Sequence, residues 1–137
     1  MPKRSEVRDV PRSEAKRALE KAREFVAVAR AALGDKRWTG AGLAAIHGGI
    51  SAADAGLIAS AGVRSISKDH AAVLGMLAES ASEFTGRERR HLAGLLALKN
   101  QVAYEQRLLT EAEALTLVDH ATRLTRWAEG VVEAHLG

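Results

Sequence analysis

Apolar residues recur along most of this chain at three- and four-residue steps, with polar residues between them. That is the signature of helices that each bury one face. From residue 15 the series Ala15, Ala18, Leu19, Ala22, Phe25, Val26, Ala29 and Leu33 predicts a helix opened by Ser13 and stopped at Gly34-Asp35. WTGAGLAAIHGGISAADAGLIASAG predicts a second helix ended by Gly62, apolar but rich in glycine. Gly42, Ala45, Gly48, Gly49, Ala52, Ala53 and Gly56 form a small-residue ridge along it. Each glycine costs a helix roughly 1 kcal/mol relative to alanine, so close approach by another helix is the natural compensation. A neighbouring helix of the same chain is the default partner, and a second copy of the protein is the alternative.

Three more helices follow by the same criteria. Ser67 caps KDHAAVLGMLAES, and Thr85 caps a helix running from Gly86 or Arg87 to about Tyr104 or Glu105. Thr110 opens the last as T-E-A-E, a capping box with Glu113. That helix carries Ala114, Leu117, Val118, Ala121, Leu124, Ala128, Val131, Val132 and Leu136 on one side. Five helices, short connections and no strand signal predict an all-α fold, an antiparallel bundle. Residues 1–12 read as a flexible basic leader and 13–137 as one helical domain.

Composition adds limits. Of 137 residues 47% are apolar but only 4% aromatic, so the core is built from Ala, Leu, Val and Ile. There is no cysteine, which removes disulfides, thiolate zinc sites and a cysteine nucleophile. No metal-ligand spacing of histidines and no paired carboxylates are visible, and no cofactor is expected. MPKRSEVRDV lacks a signal-like apolar run and no later stretch approaches bilayer length, so a cytoplasmic location with no membrane partner is expected. The net charge is +3, yet residues 1–23 hold eight basic against four acidic side chains, leaving the remainder near −1. Such a segment either touches phosphates or is simply solvated; no Trp, Tyr or Phe lies within it to stack on a base.

The segment LKNQVAYEQR, residues 98–107, interrupts the helical pattern. Leu92, Leu95 and Leu96 define a buried stripe that steps on to Lys99 and Asn100, and Asn100 shares a face with Tyr104. Polar groups there need hydrogen-bond partners, or Lys99 must snorkel to the rim. Upstream, Arg87, Arg89, Arg90 and His91 form a basic run; Arg87, Arg90 and His91 are candidate phosphate-binding residues. Arg64 and His70 match a literal Arg-x5-His spacing but flank a helix cap, which makes the match fortuitous. His47, His120 and His135 read as scattered, and Asp119-His120 has no evident partner nucleophile.

LKNQVAYE near the end of a helix resembles the signature segment of HEPN domains (higher eukaryotes and prokaryotes nucleotide-binding). AAIHGGISAADAGL resembles that family's second helix and SKDHAAVLGML its third, so the similarity spans about residues 13–136. Active members are metal-independent ribonucleases with an arginine, usually followed by a polar residue, and a histidine after four to six intervening residues; the arginine and histidine of two subunits meet in a cleft at the dimer interface. Carried over, Lys99 takes the arginine position, Asn100 matches the polar one, and Tyr104 stands where histidine is expected. Tyrosine, with a pKa of about 10, is a poor base beside histidine at about 6.5, and lysine lacks the guanidinium fork that grips phosphate. The resemblance therefore implies a homodimerising or partner-binding module with RNA or phosphate affinity and no efficient nuclease activity. Two alternatives stand beside it: a ribonuclease, as toxin or defence effector, using Lys99, Asn100 and Tyr104, and a toxin–antitoxin component whose Tyr104 receives AMP from a nucleotidyltransferase partner.

Overall fold

The computed structural model describes residues 7–65 and 84–137. In chain order these form β1 (Val7–Asp9), α1 (Glu14–Gly34), α2 (Trp38–Ala61), β2 (Val63–Ser65), α3 (Gly86–Tyr104) and α4 (Glu111–Leu136). The fold is mostly helical, as the periodicity predicts. The helix expected from Ser67, and His70 with it, lies outside the described residues.

The helices run alternately up and down. Three residues join α1 to α2, so the two pack antiparallel. Gly42 of α2 faces Leu109 and Leu117, Gly49 faces Leu95 and Leu124, and Gly56 faces Trp127. Along α2 the facing residues therefore ascend α4, while the return runs from Leu109 in the turn before α4 to Leu95 of α3. On the other side Gly48 lies against Phe25, Val26 and the backbone of Ala22 in α1. The glycine ridge thus faces inward, and α2 is the central helix. Its stretch of 15 buried residues, from Ala41 to Ala59, covers almost every side of the helix.

This burial also corrects the expectation about apolar length. Residues Trp38–Ala61 are long and apolar enough to cross a bilayer, but 78% of that window is buried inside the fold, as in a core helix. Around it sit Leu19, Ala22, Val26 and Ala29 from α1, Leu92, Leu95 and Val102 from α3, and Leu117, Ala121, Leu124, Ala128 and Val131 from α4.

The ends of the helices follow their local chemistry. Gly62 takes a left-handed φ of 68° and its N–H closes α2 on the carbonyl of Ile58. Glu88 accepts the Thr85 amide at 3.1 Å, and Thr110 and Glu113 form the expected reciprocal box at the start of α4. Ser13 differs: it occupies the N-cap position of α1 with helical φ and ψ, and its side chain makes no capping hydrogen bond.

A two-stranded antiparallel ribbon departs from the strand-free expectation. Val7 pairs with Ser65, Arg8 with Arg64 and Asp9 with Val63, and the Val10 amide donates to the Gly62 carbonyl at 2.9 Å. Part of the leader is therefore tied to the exit of α2. Three-residue strands are too short for an alternating pattern to register against the surrounding charges.

Candidate functional site

The segment that interrupts the leucine pattern sits on the last turns of α3. Leu92, Leu95 and Val102 are buried, and Lys99 continues their line half-buried. Asn100 is exposed, contrary to the expectation that it lies on the buried stripe. The seam steps by three, four and three residues from Leu92, which turns Asn100 toward solvent, where water satisfies its amide. Tyr104 is 77% exposed and Lys99 Nζ stands 5.9 Å from the centre of its ring, within cation–π range. Leu108, 78% exposed, follows in the turn to α4. That turn is anchored by Leu109, which inserts against Gly42 and donates its amide to Thr39 Oγ1 at 2.9 Å.

A histidine from another helix joins this region. His47 of α2 stacks on Phe25 of α1, ring centres 5.5 Å apart. Partial burial and the charges of Lys99 and Lys21 hold its pKa below the usual histidine value. An accessible neutral imidazole thus stands within electrostatic reach of Lys99.

The basic run at the start of α3 resolves into two parts. Arg87 and His91 line a cleft of about 290 Å³ with Glu88 and, from α4, Arg123, Arg126 and Trp127. Arg90, expected with them, does not line it; its guanidinium lies near Gly86. His91 of this cleft meets His120, which lines a separate cavity with Gly94, Leu98 and Glu113, Nδ1 to Nδ1 at 2.9 Å with ring centres 5.1 Å apart. His120 is therefore not isolated, as the sequence suggests, but paired across the α3–α4 interface. Gly94 makes room for it: a Cβ there would lie 2.7 Å from His120 Nε2.

Burial lowers the pKa of both imidazoles. For His91 the neighbouring His120 and Arg123 lower it further, against Asp119 and Glu88. For His120 Asp119 acts against burial while Arg123 adds to it. Arg123 is itself held by Asp119, Nε to the two carboxylate oxygens at 3.1 and 3.0 Å. Among the described residues no cluster of three His, Cys, Asp or Glu is placed to hold a metal ion.

A second polar pocket lies between α1 and α2, lined by Glu14, Arg17, Lys21, Ser51, Asp54 and Arg64 among others. Burial pushes the Asp54 carboxyl up to about 6 despite the opposing charges of Arg64 and Lys21. Sequence reasoning missed His47, His120, Arg123, Arg126 and Asp54 as site residues. The four- and seven-residue spacings of His47, Ser51 and Asp54 do place them on one face of α2.

No family model matches this chain, and no curated protein matches it.

Proposed function

We propose that this chain is a HEPN-like helical module that binds rather than cleaves. It engages a partner, a second copy of itself or another protein, through the exposed end of α3, and phosphate groups through cationic side chains of the same helix. The observation that carries this reading is the position of Tyr104. It is 77% exposed beside Lys99, at the point where the resembled family requires a base. A phenol is a poor proton acceptor near neutral pH, whereas a cation and a hydroxyl side by side make good donors to a phosphate oxygen. Exposed Tyr104 and Leu108 add an apolar surface of the kind that contacts between proteins use.

RNA incubated with the protein between pH 5.5 and 8.5 is expected to remain intact. Cleavage that disappears in Lys99→Ala and Tyr104→Phe would overturn this reading.

One observation favours a ribonuclease instead, namely His47 within electrostatic reach of Lys99. In that reading the neutral imidazole takes the 2′-hydroxyl proton and Lys99 balances charge on the phosphate. Cleavage lost in both His47→Ala and Lys99→Ala, but retained in Tyr104→Phe, distinguishes it. The exposed Tyr104 hydroxyl also leaves open to solvent the atom that AMP transfer would modify.

A further inference from the structure

The contact between His91 and His120 has a definite proton inventory. At 2.9 Å one Nδ1 donates and the other accepts, so two neutral imidazoles hold this bond with one N–H between them. Neither state satisfies everything: His91 Nε2 is buried without a hydrogen-bond partner in the structure. A first added proton leaves the Nδ1–H···Nδ1 bond in place and puts N–H on both Nε2 atoms. A second would set two N–H groups against each other. The pair therefore takes up one proton as a unit.

That proton arrives beside a concentration of fixed positive charge. Arg87 from α3 and Arg123 and Arg126 from α4 line the cleft, and Trp127 forms part of its wall. Three acidic groups face the pair, and each has a partner: Glu88 accepts from the Thr85 amide, Asp119 holds Arg123, and Glu113, which shares a cavity with His120, pairs with Arg107. Arg126 also lines the adjoining groove with Arg23, Arg30 and Glu129, where Glu129 pairs with Arg23 at 3.0 Å and Arg30 extends the positive charge toward α1. Three arginines against Glu88 and Asp119 leave the cleft net positive before the pair takes up its proton, and a net positive cleft with an aromatic wall suits an anion attached to a planar ring.

We infer that the α3–α4 cleft is a nucleotide-phosphate site, gripped by Arg87 and Arg126, whose affinity rises when the His91–His120 pair takes up its proton. It rests on the phosphate affinity proposed above, and not on Lys99 or on the loss of cleavage. The phosphate comes either from a free nucleotide or from single-stranded RNA, and the same chemistry serves both.

The test measures binding of two probes, uridine monophosphate and fluorescein-labelled octauridylate, to the full chain in EDTA at pH 7.5 and 5.5. The diester charge of the oligomer is constant over that range. Its affinity is expected to rise by roughly threefold to tenfold at the lower pH, as one added charge a few ångströms away would give. Arg87→Gln with Arg126→Gln, both at exposed positions, should weaken binding of the preferred probe at least about tenfold. His120→Gln should flatten the pH dependence, which separates the pair from His47 and His135. Tighter binding of the monophosphate identifies a nucleotide site; tighter binding of the oligomer identifies RNA. Unchanged RNA binding in the double arginine variant overturns the cleft while leaving the module reading intact. A pH dependence that persists in His120→Gln, or binding that requires added Zn²⁺, overturns the coupling. No binding of either probe overturns both readings.

Discussion

Asp54 shows what a single side chain costs when it is drawn under the surface. Its carboxyl titrates near 6 rather than 3.8, because burial outweighs the attraction of Arg64 and Lys21. A folded-state pKa above the unfolded value means the group favours the fold fully below pH 3.8 and loses that contribution as pH rises through 6. Asp54→Asn is therefore expected to stabilise the protein at pH 8 by up to about 3 kcal/mol. Urea denaturation should show the gain fading to nothing near pH 4. The imidazoles of His91 and His120 work in the opposite sense. Their lowered pKa values make a contribution that is present above about 6.5 and lost as pH falls through the folded values. At this scale the sequence is legible only where neighbours on one helix decide the outcome. Lys99 and Tyr104 meet because five residues bring them to one end of α3. His91 and His120 meet because α3 and α4 are in register, and that register depends on how the turn between them seats Leu109 against Gly42. No local pattern carries that information.

Helices were readable because burial imposes a 3.6-residue period on each of them, and the capping residues mark their ends. The exception is instructive: Asn100 lies four residues beyond Leu96, which predicts burial, but the seam follows Leu95 and leaves Asn100 in solvent. The period identifies a face to within about one residue's rotation, and a polar side chain at its edge is assigned by packing. The glycines of α2 raise the same issue with a clearer answer. At Gly56 an added methyl would meet the ring of Trp127, whereas at Gly130, in α4, nothing among the described residues lies within 4 Å. Gly56→Ala is expected to destabilise by about 1–3 kcal/mol through overpacking. Gly130→Ala should stabilise by up to about 1 kcal/mol from helix propensity alone. Paired thermal melts decide this; equal shifts of the same sign would show that the ridge is not a packing surface.

For the molecule as a whole, α2 is the axle on which α1, α3 and α4 pack, and each candidate site lies where a neighbouring helix meets another. The lysine and tyrosine of α3 reach solvent at one end. The arginines and paired histidines lie near the other, about two turns away along the helix from Lys99 to His91. On the proposed reading, this separation makes phosphate binding and contact at Tyr104 independent of each other. Self-association through the exposed end of α3 is expected to appear in light scattering as a dimer that Tyr104→Glu with Leu108→Glu dissociates. The double substitution should leave the helical circular dichroism unchanged, since both positions face solvent. The most direct measurement of binding without cleavage follows one labelled RNA in one sample, by anisotropy and then on a denaturing gel. The expected result is a raised anisotropy at pH 7 and full-length RNA recovered from the complex. RNA fragments that vanish with Lys99→Ala would contradict it.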